Sequence, residues 1–284
     1  MKTIALIGAS GVLGRQVGPR LRAPGHRLRL LLRPGSLDPL PHAPGTERLH
    51  GDLFDAAALR RLLRGCDTVV NLASALKPVR DSIDWQANDR VRAEGTKALV
   101  QACESAGIGR LVQLSIAFVD GEDAEGTGPL ASLPWLASAA AMEAEIAQSR
   151  LDTLVLRAGL FWGPGTGMQA WFDSLHTPSP WDCPGVAADW VSLVHVEDMA
   201  DAVAAAVDSQ ATGCLAVTDG EPLRWGDLAA NVEAELGVAE IAFAPRAMLP
   251  SFRVSAISSR ARLNWRPQHF GRDFAQRSSA ELVV

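Results

Sequence analysis

Ile4-Ala5-Leu6-Ile7-Gly8-Ala9-Ser10-Gly11-Val12-Leu13-Gly14-Arg15 is the stretch that decides the architecture. Four apolar residues read as a buried strand, three glycines follow at once, and a helical period then runs to Arg22. The first glycine of such a loop permits a tight turn, the second lets backbone approach a pyrophosphate, and the third lets the helix pack on the strand. The helix N-terminus adds positive potential at the same point. Gly8, Ser10, Gly11, Val12, Leu13 and Gly14 are therefore the predicted dinucleotide contacts. An unoccupied tight turn is the other reading of the loop, and its place at the first strand-helix junction favours the ligand.

Outward from this loop, short apolar runs alternate with segments of helical period. Strands are predicted at Ile4 to Ile7, Leu28 to Leu32, Thr68 to Leu72, Leu111 to Leu114 and Thr153 to Leu156. Helices are predicted near Gly11 to Arg22, Asp55 to Leu63, Asp84 to Ala106 and Trp135 to Gln148. This repetition predicts an α/β fold, a Rossmann doubly wound parallel sheet with right-handed crossovers. After Arg157 glycine and proline break the pattern, and a strand at Val191 to Val194 and a helix from Val196 to Val207 return to the sheet. A further helix is predicted at Trp225 to Leu236. The chain thus divides into a nucleotide-binding domain (1–158 and 191–212) and a small C-terminal substrate-binding lobe (159–190 and 213–284).

The second predicted strand ends in Leu32-Arg33-Pro34, 19 residues beyond Gly14. A carboxylate at this place accepts from a ribose 2′-hydroxyl and repels a 2′-phosphate, whereas a guanidinium pairs with the phosphate. Arg33 therefore favours NADP(H) over NAD(H). Arg15 would assist or would be an ordinary exposed helical arginine.

Composition sets the outer bounds. The 284 residues are 48% hydrophobic and 21% charged, with a net charge of −5, which offers no basic footprint for nucleic acid. No apolar run approaches the roughly 20 residues that span a bilayer. Cys66, Cys103, Cys183 and Cys214 share no ligand spacing, so neither a disulfide framework nor a metal site is expected, and a cytoplasmic location fits. The chain has eight tryptophans, eight phenylalanines and no tyrosine.

Gly8 to Gly14, Gly51-Asp52-Leu53, Asn71-Leu72-Ala73, Leu114-Ser115, Leu156-Arg157, Val194-His195-Val196-Glu197-Asp198 and Leu263-Asn264-Trp265-Arg266-Pro267 appear in this order. Together they resemble the extended short-chain dehydrogenase/reductase superfamily, and within it the NAD-dependent epimerase/dehydratase group and its atypical members. The resemblance implies that Asp52 and Leu53 lie by the adenine and that Leu72, Ala73 and Ser74 line the cofactor. It makes Ser115 the active-site hydroxyl. A helix cap for Asp52 and a buried, backbone-bonded hydroxyl for Ser115 are the alternatives. The resemblance also implies a homodimer built on the helices Asp84 to Ala106 and Trp135 to Gln148.

That family exchanges protons through a Tyr-x-x-x-Lys pair, which falls here on Trp135 and Ala139. Indole is a donor only and alanine carries no polar group, so neither residue transfers a proton. Three replacements are conceivable: Lys77 beyond the fourth strand, His195 at a strand-helix junction, and the loop carboxylates Asp120, Glu122 and Asp123. Trp162, Trp171, Trp181 and Trp190 would wall an apolar ligand pocket or form the core of the lobe.

Two functions of different class follow. One is an atypical NADP-dependent oxidoreductase acting on a small, conjugated or aromatic substrate whose developing charge is already stabilised. The other is a non-catalytic NADP(H)-binding protein, a redox sensor resembling NmrA-like regulators or a structural subunit, with a nucleotide-state-dependent protein partner. An isomerase or cyclase on the same scaffold is a third, without positive support.

Overall fold

Both faces of the central sheet are covered, which is why its strands are nearly continuous in apolar residues rather than alternating. The computed structural model describes residues 1–40, 44–75, 85–121, 123–178, 180–238, 240–244 and 248–281. In chain order the first half comprises β1 (Thr3–Ile7), α1 (Val12–Arg22), β2 (Arg27–Leu32), β3 (Thr46–His50), α2 (Ala56–Leu63), β4 (Thr68–Asn71), α3 (Trp85–Arg90), α4 (Thr96–Ala106) and β5 (Arg110–Ile116). A single π turn, Val91–Gly95, joins α3 to α4. The second half comprises α5 (Ala137–Gln148), β6 (Asp152–Ala158), β7 (Leu160–Trp162), α6 (Gly167–Ser174), β8 (Trp190–Val191), β9 (Leu193–His195) and α7 (Val196–Asp208). It ends with β10 (Gly213–Val217), β11 (Leu223–Arg224), α8 (Trp225–Leu236), α9 (Ile257–Leu263) and α10 (Phe274–Glu281).

Seven strands form one sheet in the order β10-β6-β5-β4-β1-β2-β3. The ladders β1 with β2, β1 with β4, β2 with β3 and β4 with β5 are parallel. Chain order runs outward in opposite directions from β1 and β4, so the crevice beside their carboxyl ends is the switch point where such sheets hold ligands. Ala5, Ile7, Leu31, Val69, Leu111 and Val155 point to one face, into a core shared with α2, α4 and α5. Their neighbours Ile4, Leu6, Leu30, Val70 and Val112, also buried, point to the other. There α1 and α7 lie together, and Arg20 pairs with Asp201 at 2.5 Å.

All five strands predicted from the apolar runs exist, with β4 ending at Asn71, one residue short of the expectation. Two strands of this sheet escaped prediction, as did the short β7 and β11 outside it. β3 reads Thr-Glu-Arg-Leu-His, an edge strand with one large apolar residue, and β10 lies where only the small lobe was expected. The single strand expected over Val191 to Val194 is two, broken at fully buried Ser192, whose hydroxyl accepts from Val254 N–H at 2.9 Å. The helix expected from Trp135 starts at Ala137, because Pro134 opens a 3-10 turn over Pro134–Leu136.

The chain forms two compact units: residues 1–115, 132–156 and 200–215, and residues 116–131, 157–199 and 216–284. The second takes in 116–131 and 191–199, which the sequence reading grouped with the sheet. It contains the parallel pair β7 and β9 and the antiparallel pair β8 and β11. Its core is aromatic: Trp162 meets Phe274 edge-on at 5.8 Å, and Trp171 stacks on Phe274 at 6.1 Å. Trp162 and Trp171 are thus core residues at 1% and 2% exposure. Trp190 is half-buried beneath the guanidinium groups of Arg224 and Arg253, and Trp181 is also half-buried.

Candidate nucleotide and substrate site

The loop after β1 is built on close backbone approach. Gly8 has φ +81°, and a Cβ there would lie 2.7 Å from the Leu72 carbonyl carbon, so the loop after β1 sits directly against the loop after β4. A Cβ on Gly14 would clash with the carbonyls of Gly8 and Ala9, which fixes α1 against the loop. Gly11 differs: a Cβ there would meet only the Gly8 carbonyl oxygen, at 3.3 Å. Gly11 is exposed, no side chain caps α1, and its first turn carries no acidic residue. An uncapped helix N-terminus behind an open glycine suits an anion, and these residues would fit the pyrophosphate of a dinucleotide. Ser10 and Val12 are half-buried beside it, Leu13 is buried, and exposed Arg15 donates to the Ser10 carbonyl at 3.1 Å.

The other sequence-predicted residues lie on the same edge. Arg33 is exposed just beyond β2, its carbonyl receiving the Ser36 N–H and hydroxyl at 3.0 and 2.7 Å. Asp55, not Asp52, caps α2, accepting from the N–H groups of Ala57 and Ala58. Asp52 instead accepts from Phe54 N–H at 2.8 Å and holds a turn, with Leu53 buried beside it. Leu72 is buried, Ala73 half-buried and Ser74 exposed. Lys77 and Glu122 lie outside the described residues.

Sequence reasoning quoted Asn71 only within a motif and gave no role to either of the two asparagines that shape this edge. Asn71, 1% exposed, donates to Gln113 at 2.9 Å and accepts from Ala73 N–H at 3.2 Å, setting the turn out of β4. Asn88, fully buried on α3, accepts from Ala75 N–H at 3.1 Å and holds the end of the same segment. A polar residue closing an apolar strand was the available signal for Asn71.

Near α5 the site carries aromatic and hydrogen-bonded groups. Trp135 is half-buried, its ring 5.4 Å from that of Trp85. Ala139 is fully buried, and Ser138 donates to Asp89 at 2.5 Å. Ser115, at the end of β5, donates to Glu143 at 2.5 Å.

The remaining proton-carrier candidates belong to the second unit. His195 is 3% exposed, its Nδ1 accepts the Glu197 N–H at 3.3 Å, and its ring stacks on His269 at 4.0 Å. Ligand atoms of His195, Glu197 and His269 lie within 4.8 Å of one another, but stacked imidazoles present their in-plane lone pairs side by side rather than toward one ion. Asp120 donates its backbone N–H to Pro129, while Asp123 organises its loop. Burial opposes it, yet the N–H groups of Glu125, Gly128 and Gly126 hold the Asp123 carboxyl below its ordinary range, so it is not a proton-donating acid near neutrality. The four cysteines are free, and burial pushes the thiols of Cys103 and Cys183 up to about 12 and about 11, so neither is a nucleophile near neutrality.

Residues 8–176 match the family model described as NAD(P)H-binding. The chain belongs to this NAD(P)H-binding family. This family member is 33% identical to a 3-diazoavenalumate denitrifying reductase of Streptomyces sp, over 94% of this chain and 96% of that protein. It is 22% identical to the decarboxylating sterol-4-alpha-carboxylate 3-dehydrogenase of Dictyostelium discoideum, over 79% and 74%. The fold is that of the Thermus thermophilus UDP-glucose 4-epimerase, solved in complex with NAD: TM-score 0.79, 24% identity and 98% coverage of both chains. Among the described residues no helix is long and apolar enough to cross a membrane.

Proposed function

We propose that this protein is an NADPH-dependent reductase whose substrate is an aromatic diazonium, the diazonium group being replaced by hydrogen with release of dinitrogen. The observation that carries the reading is a dinucleotide edge with open phosphate-binding backbone in a chain with no tyrosine at all. Reduction of a carbonyl needs a proton for the developing alkoxide, and the usual donor of this superfamily is a tyrosine. A diazonium needs none. As the C–H bond forms, the C–N bond breaks, its electron pair leaves with dinitrogen, and the positive charge cancels the charge of the hydride.

The cofactor supplies the hydride when bound. Gly8 to Gly14 and the α1 N-terminus would hold its pyrophosphate, and the exposed Arg33 guanidinium supports a preference for a 2′-phosphate. Asn71 and Asn88 hold the Leu72 to Ala75 segment, which would line the bound cofactor. Trp85 and Trp135 offer aromatic faces to a planar, cationic ring, an attraction of about 0.5–2 kcal/mol. The relative whose name specifies a denitrifying reductase of a diazo compound supports this class of substrate over a ketone. The test is incubation of the protein with NADPH and, in parallel, an arenediazonium salt and a panel of ketones. Stoichiometric dinitrogen release and NADPH oxidation with the diazonium alone is the expected result. Turnover of ketones without dinitrogen release would sink the reading.

A further inference from the structure

The buried stripe of the helix made by α3, the π turn and α4 runs through Asn88, Arg92, Thr96, Leu99 and Cys103. From Leu99 onward it is apolar and packs into the core with α2 and α5. Its first two turns carry instead an amide that is fully buried and a guanidinium that is 9% exposed. Asn88 uses its oxygen on Ala75 N–H, but its Nδ2 has no partner among the described residues, and neither has Nη1 of Arg92. The contrast with Arg90 is direct, since that residue, exposed on the outer face, pairs with Glu94 at 3.0 Å. Asp89 is the acidic group that acts on Arg92, and its Oδ1 already receives the Ser138 hydroxyl.

Two buried donors left open, one helical turn apart on one face, are costly to keep unless something accepts from them. Arg92 lies within the π turn and Asn88 just before it, and such turns are common at functional sites. Trp85 precedes Asn88 by one turn and carries the ring beside Trp135.

We propose that Asn88 Nδ2 and Arg92 Nη1 bind the carboxylate of an aromatic acid whose ring lies by Trp85 and Trp135. The assignment rests on the reductase reading above and adds the substrate class to it. A carboxylate offers acceptors to both donors, and the dinucleotide phosphates already have the glycine loop, so the acceptor is a group of the substrate. Asn88 then has two roles, holding the cofactor-side segment with its oxygen and the substrate with its nitrogen. Arg92 is a specificity residue that leaves the hydride step untouched.

The experiment is calorimetric titration of the NADP+-saturated full chain with 4-hydroxycinnamate and with its carboxamide. The acid is expected to bind at least tenfold more tightly than the amide. In Arg92→Met the preference is expected to vanish with NADP+ affinity unchanged, and Arg92→Lys is expected to keep part of it. Equal binding of acid and amide, or no binding of the acid at millimolar concentration, would overturn the assignment. So would an Arg92→Met protein that loses NADP+ affinity yet retains the acid preference, since the donors would then serve the cofactor. Should Arg92→Met not fold, the wild-type ratio decides by itself. No turnover enters the readout, so acid selectivity without dinitrogen release would remove the diazonium reaction and leave this site standing.

Discussion

Ser115 donates its hydroxyl hydrogen to Glu143 at 2.5 Å, and the residue is 4% exposed. The contact ties the carboxyl end of β5 to the middle of α5, so the hydroxyl expected at the reacting centre is engaged in holding the strand and helix together. Ser115→Ala should cost about 1–2 kcal/mol, the usual penalty for stranding a partly buried acceptor, which is a few degrees in Tm. The rate of hydride transfer to a diazonium should stay within about tenfold. A thermal melt and a single-turnover NADPH trace check both. A loss of activity far beyond that with an unchanged Tm would return Ser115 to the chemistry.

The glycines separate folding from binding. A Cβ at position 14 meets the Gly8 and Ala9 carbonyls, so Gly14→Ala should displace α1 and lower Tm sharply. A Cβ at position 11 meets only one oxygen, at 3.3 Å. Gly11→Ala should therefore melt near wild type while losing the thermal shift given by NADPH. Wild-type protein at about 100 times the dissociation constant should gain roughly 2.7 kcal/mol from the nucleotide.

Arg33 lies exposed just past the end of β2, where its guanidinium is open to a ligand. Charge-assisted pairing with a 2′-phosphate contributes about 1.5–3 kcal/mol. Arg33→Asp should weaken NADPH roughly 10- to 100-fold and leave NADH unchanged or tighter, as read by titration of cofactor fluorescence.

Asp219 is 1% exposed, and burial pushes its carboxyl up to about 7, with the Gly271 N–H and Arg260 pulling against it and Asp198 adding to it. An unfolded aspartate titrates near about 4, so between about pH 4 and pH 7 the folded chain keeps a proton that the unfolded chain has released. Stability from this group is full below that window and is lost as pH rises through about 7, a change on the order of a few kcal/mol. Denaturant midpoints between pH 5 and pH 8 should fall in wild type and fall less in Asp219→Asn.

Much of this edge was legible because its rules are backbone rules. Glycines 8 and 14 announce a turn and a close packing, and both are found here, while Gly11, expected to let backbone approach a pyrophosphate, is exposed. Apolar runs located β1, β2, β4, β5 and β6, since strands covered on both faces cannot hide their composition. β3 was invisible for the converse reason: Thr46, Glu47 and Arg48 lie at the sheet edge, and only Leu49 signals burial. The contacts of Ser115 and Asn88 reach partners 28 and 13 residues away, and Arg92 Nη1 has no hydrogen-bond partner among the described residues, none of which a local pattern encodes. The tryptophans of the second unit look alike in sequence, whereas packing makes Trp162 and Trp171 core and leaves Trp190 beneath two arginines.

The most direct test of the reductase reading follows one hydrogen atom. The protein is given NADPH deuterated at the transferring C4 position and an arenediazonium carboxylate in ordinary water, and the arene product is examined by mass spectrometry and NMR. One deuterium on the carbon that bore nitrogen, with an equal amount of dinitrogen, is the predicted result; the reciprocal run in heavy water should leave that carbon unlabelled. Solvent hydrogen at that carbon, or consumption of NADPH without dinitrogen release, would contradict a reduction that needs no proton donor.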